Sequence, residues 1–463
     1  MKKILYILIA ISLSSCKDFL DVKPTGGKIL ESVEDYDKLL NYYQLANLSN
    51  YENLIYKDPD MALNNQQYGA LGASGKIAQK QYTWSNDTHM ITDNDWDWNS
   101  RYSGIGNYNE VLDNIDAAPL GNVPASKRTT VKGEALANRA FNYFVLISEY
   151  APHYSETTKN QLGIPLPLKV DLKASLGRST VGEVYTQILN DLLNAEALLA
   201  PGPARNDAAN FRPAKASVKG LLAWVYLYMG DFAKARTYSD EALSLYSTLN
   251  NYNSYTLKVA GNPWNGLTGD PIKYSTDNLE ELFLRGARTS YKDALLYSAD
   301  LEAQFDKTND RRWVLFNSHK DYFNYDASPA YFFALGEVGR SVGVTVPQLL
   351  LINAEAKART TDANGAITAL NKLRSARYTP AKAAYTGPTD AGSVLKEIKL
   401  ERRREFVGTG LNVIDLKRYA AYGDNDVPVF TRTVAGTTYT LEPGSSKYVA
   451  PIAPKVKSLN PNL

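Results

Sequence analysis

From residue 131 onward, apolar residues keep returning at helical spacing. Ala137, Ala140, Phe141, Phe144 and Ile147 fall at i, i+3, i+4, i+7 and i+10, so they share one face and predict a packed helix. A second helix is predicted from Thr180, whose hydroxyl can cap a helix start while Glu183, three residues on, reaches back as a capping box. Its stripe runs through Val184, Tyr185, Ile188, Leu192 and Leu199, and Pro201-Gly202-Pro203 ends it.

Two helix pairs follow. Residues 217–229 and 232–245 are joined by a tight Gly230-Asp231 turn, with Ala223, Ala235 and Ala242 where small side chains let two backbones approach. Residues 347–359 and 364–376 repeat the design with Ala354, Ala356, Ala366 and Ala369. The expected fold class is therefore mostly α: a tetratricopeptide-repeat helical scaffold over about 131–250 and 346–420. A last helix, 393–406, carries Glu401-Arg402-Arg403-Arg404-Glu405, where Glu401 can pair with Arg404 and Arg402 with Glu405 at i, i+3.

Two stretches have another texture. Residues 51–101 and 252–343 are rich in Asn, Asp, Gly, Tyr and Trp and poor in apolar periods, and they read as loops forming an irregular, ligand-binding face on the scaffold. In the first, Trp84, Trp96 and Trp98 stand among Asn86, Asp87, Asp93, Asn94, Asp95, Asp97 and Asn99. That mixture suits stacking a sugar ring while amides and carboxylates bond its hydroxyls. Trp84 and Trp96 are expected to be exposed, and Trp98 is divided between core and site. In the second, Trp264, Trp313, Tyr322, Tyr325 and Tyr331 would supply the opposite wall.

Composition narrows the function. A chain of 463 residues, 44% hydrophobic, is long enough for one large domain or two modest ones. The formal charge of +2 includes Lys2 and Lys3, and without them the remainder is near neutral, which sets nucleic acid aside as a partner. His89, His153 and His319 are far apart and fit neither a zinc motif nor a serine-type triad. Asp93-x-Asp95-x-Asp97 hints at calcium, but Trp98 stands where an EF-hand loop needs glycine and Gly104 where it needs glutamate. A looser calcium site stays open there beside the plainer reading of a solvated acidic loop, and no other metal or cofactor is expected. The carboxylates of 401–405 alternate with arginines, which keep them ionised and unfit as general acids, so no catalytic residue is nominated.

At the N-terminus, Lys2 and Lys3 precede an apolar run from Ile4 to Leu13, too short to span a bilayer, which reads as an export signal over 1–15. The run ends in Leu13-Ser14-Ser15-Cys16, a lipobox pattern in which the thiol of Cys16, the chain's single cysteine, accepts a lipid. That use leaves no thiol for a disulfide, a zinc cluster or a nucleophile.

Taken in order, these segments resemble the RagB/SusD family over nearly the whole of 16–463. The similar stretches are CKDFLDVKP; Trp98-x3-Tyr102-x2-Ile105-x3-Asn109; GEALANRAFNYFVLISEYAP; RSTVGEVYTQILNDLLNAEALLAP; RPAKASVKGLLAWVYLYMGDFAKA; INAEAKAR with LNKLRSARY; ERRREFVGTGLNVIDLKR; and PIAPKVKSLNPNL. The chain departs from the family pattern at Leu411-Asn412, where an arginine is usual, and at Val413-Ile414, which replace an aromatic pair.

The resemblance implies a non-enzymatic, cell-surface lipoprotein of the outer membrane that captures a nutrient, an oligosaccharide or a peptide, and hands it to a SusC-like TonB-dependent transporter. Asp18, just behind Cys16, resembles the surface-export signal of Bacteroidetes lipoproteins. A glycan-degrading enzyme would need two carboxylates at a defined separation, which nothing here nominates, and a protein-binding tetratricopeptide adaptor would show repeats throughout with few insertions. Replacing Cys16 with serine is expected to release the protein from the membrane fraction; retention on cell fractionation would remove the lipid anchor.

Overall fold

Capped, amphipathic segments settle into helices, and their caps mark where each begins. A computed structural model describes residues 30–45, 51–73, 76–171, 176–272, 278–286, 295–334 and 341–463. The export segment and Cys16 lie outside the described residues.

In chain order the first half carries α1 (Val33–Leu40), α2 (Glu52–Lys57), α3 (Asn65–Ala73), α4 (Ile77–Tyr82), α5 (Trp96–Asn114), α6 (Ser126–Tyr150), α7 (Val181–Leu199), α8 (Lys215–Tyr228) and α9 (Phe232–Leu245). Short α10 (Ala299–Glu302) and α11 (Arg311–Phe316) precede α12 (Val346–Arg359), α13 (Ala363–Arg377), α14 (Ala391–Glu405), α15 (Leu411–Ala421) and α16 (Pro454–Leu459). The fold class is mostly α, as expected. Thr180 caps α7, with Glu183 closing the box. Asp231 caps α9 and Asp362 caps α13 through their carboxylates, so each helix pair turns on an acidic N-cap.

Consecutive packing gives one continuous array: α5 on α6, α6 on α7, α7 on α8, α8 on α9, α9 on α12, and α12 on both α13 and α14. Ala223, Ala235, Ala242, Ala354, Ala356, Ala366 and Ala369 are all buried along it. Gly220 on α8 shows how closely the layers approach. A Cβ there would meet Val344 at 2.5 Å and Leu349 at 3.0 Å.

The stretch 51–101 departs from expectation. It holds α2, α3, α4 and the start of α5, with loop over 83–95, and Tyr51, Leu54, Ile55, Tyr56 and Met61 are buried. Helices of six residues complete fewer than two turns, so they leave no readable period and depend on tertiary packing. The stretch 252–343 holds short strands as well as α10 and α11. In chain order the strands are β1 (Met61–Ala62), which belongs to the first stretch, β2 (Leu257–Val259), β3 (Asn262–Leu267), β4 (Glu281–Phe283), β5 (Leu296–Tyr297), β6 (Asn317–Ser318), β7 (Phe332–Phe333) and β8 (Val344–Thr345), just past the second. Antiparallel pairing in the order β1-β5-β7-β6, with Met61 opposite Tyr297 and Leu296 opposite Phe332, stitches the two stretches together.

Near the C-terminus, β9 (Phe430–Val434) and β10 (Thr437–Leu441) form a hairpin whose two-residue turn, Ala435-Gly436, has positive φ at both positions. Periodicity marks individual helices only as far as 406, and α15 completes the scaffold expected to about 420. Its N-cap is Gly410, whose φ of 78° suits glycine and where a Cβ would meet the backbone of Leu54 and Ile55 at 3.1 Å.

Charge pairing departs from expectation too. Glu401 does meet Arg404, at 2.8 Å, but also Arg312 at 2.5 Å and Arg374 at 3.1 Å. Arg402 does not pair with Glu405: it bonds Asp415 on α15, while Glu405 bonds Arg312 and Arg377. Arg402 is buried and Glu405 half-buried, and each pairs with the charge that the element packed against it presents, not with the residue three along.

Burial alone would push Glu401 upward, but Arg312, Arg404 and Arg374 outweigh it and hold its carboxyl far below the usual range. Its contribution is therefore present above the ordinary glutamate pKa and lost as pH falls below it. Glu401→Gln is expected to cost about 3–5 kcal/mol at pH 7. That deficit, measured by denaturant unfolding, should shrink as pH drops below about 4.3; a pH-independent difference would contradict it.

Candidate functional site: an aromatic rim over an apolar cleft

Helix α5 begins at a capped, buried corner and puts its first side chain, Trp96, outward. Asp95 is fully buried, and its carboxylate accepts the Trp98 N–H at 3.2 Å, which caps the helix. The next residue, Trp96, is 65% exposed. Asn99, three residues on and on the same side of the helix, is also exposed and borders a cleft of about 590 Å³. Trp98 and Tyr102 form its floor, their rings 4.8 Å apart, with Tyr150 set edge-on to Trp98 at 5.0 Å.

The opposite walls come from Pro165, Leu166, Pro167 and Leu168 and from Val456, Leu459 and Leu463 of the C-terminal segment. This loop is pinned. Tyr102 donates to the Pro165 carbonyl at 2.9 Å, and Asn109 and Tyr143 donate to that of Pro167 at 2.7 and 2.6 Å. Burial pushes the Tyr102 phenol well up, so it stays a neutral donor. The C-terminal wall is tied by Asn460 to the Leu176 carbonyl and by Lys455 to Asn94, both at 2.8 Å. Asn99, Lys169, Asp171 and Asn460 supply polar groups among apolar ones. Such a site can hold a ligand by ring contact and a few hydrogen bonds.

The residues singled out from the sequence do not converge on one place. Trp84 is not exposed but buried, at 1%. Its indole N–H donates to the Lys57 carbonyl at 2.7 Å and the Arg432 guanidinium lies 4.5 Å from its ring, so it is part of the core. Asp95 is likewise a helix cap. Trp98 is mostly buried but reaches the cleft, and Asn86 is exposed. Asp93 accepts the Met90 N–H and Asp97 the Asn53 N–H, so the three aspartates of the calcium-like run serve protein donors. Among the described residues no group of His, Cys, Asp or Glu is arranged to hold a metal ion.

The second stretch does not form the opposite wall of this cleft. Trp313 is buried among Tyr297, Phe305 and Tyr331, packed there by the sheet beneath it. Tyr325 is half-buried, its hydroxyl accepting from Asn64 at 2.9 Å. Trp264 and Tyr322 make a separate surface, edge to face at 6.2 Å, with the indole N–H on the Lys320 carbonyl. Phe323, absent from the sequence candidates, extends it. Asp321 pins the turn by accepting the N–H groups of Phe323 and Tyr325, leaving Tyr322 61% and Phe323 81% exposed. The signal for Phe323 was present in the run Tyr322-Phe323-Asn324-Tyr325. The proline–leucine wall had only its apolar, non-periodic composition to give it away.

Residues 18–227 match a family model described as starch-binding associating with outer membrane, and 348–463 match the SusD family model. The chain is 25% identical over 240 residues to SusD-like protein P2 of Formosa agariphila, an alignment covering 50% of this chain and 44% of that relative. It therefore spans less than half the length of the curated relative it matches. Solved structures share the fold across nearly the whole chain. A SusD superfamily protein from Bacteroides fragilis has 19% identity and a TM-score of 0.70, with 94% of this chain and 100% of that one covered. A SusD-like carbohydrate binding protein from Bacteroides vulgatus has 23% identity and a TM-score of 0.66, with 94% and 97% covered. With both family models in sequence order and together taking in more than half of its residues, the chain belongs to the SusD family.

Proposed function

We propose that this protein is an outer-membrane surface lipoprotein that binds an oligosaccharide at the start of α5 and passes it to a SusC-like TonB-dependent transporter. The observation that carries the reading is Trp96, a ring held open to solvent at a capped helix start, with the Asn99 amide on the same side above a cleft. An indole face accepts the C–H side of a pyranose, and amide and carboxylate groups bond its hydroxyls. Solved relatives described as sugar-binding and carbohydrate-binding support a glycan ligand. No described helix is long and apolar enough to cross a membrane, and attachment through Cys16 accords with that. Trp264, Tyr322 and Phe323 offer a second stacking surface for a longer chain.

Binding without chemistry fits the carboxylates. Asp95 caps α5 from the interior, and Glu401 and Glu405 are held ionised by arginines, so neither set provides the acid and base of glycoside hydrolysis. A second reading, a peptide ligand, is favoured by one feature: Leu166, Leu168, Leu176, Val456, Leu459 and Leu463 make the cleft aliphatic, which suits an apolar side chain.

Affinity at one exposed ring is expected to be about micromolar or poorer, because little area is buried and hydroxyls must be desolvated. Calorimetry of the chain beginning after Cys16 against a panel of oligosaccharides and peptides tests the site. Trp96→Ala should weaken saccharide binding roughly tenfold, about 1.4 kcal/mol, with an unchanged melting temperature. Trp84→Ala should instead lower stability by about 3–5 kcal/mol as a core truncation. Saccharide binding that survives Trp96→Ala would remove the rim from the site, and binding confined to peptides would favour the second reading.

A further inference from the structure

Beneath the exposed rim, four helices meet on one side chain. Asn53, near the start of α2, is buried. Its backbone N–H donates to Asp97 at 2.8 Å, in the first turn of α5. Its side-chain nitrogen lies 3.1 Å from Asp95 Oδ1, 2.8 Å from Glu149 Oε1 and 3.0 Å from the Tyr150 hydroxyl, the last two at the end of α6. Its side-chain oxygen accepts from Gln81 of α4 at 2.6 Å. The Asp95 oxygen it touches also takes the Trp98 N–H that caps α5 and the Tyr150 O–H at 2.7 Å. Asn53 thus meets both acidic residues that flank Trp96, Asp95 through its side-chain amide and Asp97 through its backbone N–H.

We propose that Asn53 is the positioning residue of the rim: by fixing Asp95 and Asp97 it sets the angle at which α5 emerges, and so the placement of Trp96 and Asn99. Its role as a determinant of ligand binding rests on the rim being the binding site. Asparagine suits the position because it brings donors to a place where carboxylates gather, whereas an apolar residue would leave Asp95 and Glu149 short of a buried partner. The groups facing it are Lys57 on α2, Asp95, Asp97 and Arg101 on α5, Glu149 and Tyr150 on α6, and Lys417 on α15. Burial first, then Asp97 and Asp95, push the Glu149 carboxyl well up. A further ionised acid there adds a negative charge to a buried cluster whose cations, Lys57, Arg101 and Lys417, already face Asp95, Asp97 and Glu149.

Hydrogen exchange read by mass spectrometry on the intact chain tests this without any ligand. Asn53→Leu should speed exchange of the amides of 96–99 at least tenfold while those of 347–356 in α12 keep the wild-type rate. Asn53→Asp, compared with wild type at the same pH, should lie within about threefold at pH 5, where the new acid is protonated and can donate, and exceed tenfold at pH 8, where it is ionised. Unchanged exchange at 96–99, acceleration spread equally to α12, or an Asn53→Asp effect independent of pH would overturn the proposal. Failure of the wild-type protein to bind any saccharide would sink the functional reading alone, because the exchange result does not depend on it.

Discussion

A charge taken out of water must find its counter-charge, and the C-terminal half of this protein is arranged around that requirement. Glu355 of α12 and Arg418 of α15, both fully buried, face each other through two hydrogen bonds at 2.5 and 2.6 Å. Asp415 joins Arg418 to Arg402 of α14, and Tyr228 of α8 donates to the same aspartate at 2.9 Å. Glu401 collects Arg312, Arg374 and Arg404, bringing α11, α13 and α14 to one point. Replacing such pairs by packed apolar residues can be neutral, but removing one member strands the other in low dielectric, so each pair specifies where its helix must lie. The repeat-like pairs supply surface to bury, and the ion network sets how α12 to α15 register against one another.

The N-terminal part that carries the rim is held by a different device. Helices α2 to α4 are too short to persist alone, and buried polar side chains anchor them to the array. Arg432, reaching in from the β9–β10 hairpin, donates to the carbonyls of Tyr56, Tyr82, Asp58 and Met61 and lies over the rings of Tyr82 and Trp84. Asn412 of α15 bonds Asp58 and Asp60, and Arg403 of α14 bonds Asp60. Segments nearly four hundred residues apart in sequence therefore share one polar core. The consequence for function is rigidity: the α5 start, the pinned 165–168 loop and the C-terminal wall are each fixed by side-chain hydrogen bonds to a distant element, so the rim is presented on a built surface.

Much of the scaffold was legible in the residues. Thr180 with Glu183, the Gly230-Asp231 turn and the paired alanines are local codes whose meaning does not depend on distant chain, and the helices they predict are present within a few residues. The α6 start at Ser126 and the whole of α15 were less so, the latter because Leu411-Asn412-Val413-Ile414-Asp415-Leu416-Lys417-Arg418 is buried on nearly every side and shows no polar face to set a period. Aromatic residues were read least well. Trp84, Trp96 and Trp98 stand in similar polar company along the chain, yet one is clamped by Arg432, one faces solvent and one floors a cleft.

That contrast marks what each level determines. Periodicity, caps and small residues act over three or four positions, so the sequence by itself determined a mostly helical protein with paired, closely packed helices, and the order of its motifs determined its family. Which ring is exposed, which carboxylate caps a helix and which arginine an acid meets depend on groups tens to hundreds of residues away. Burial makes those encounters compulsory, and only the tertiary structure decided them.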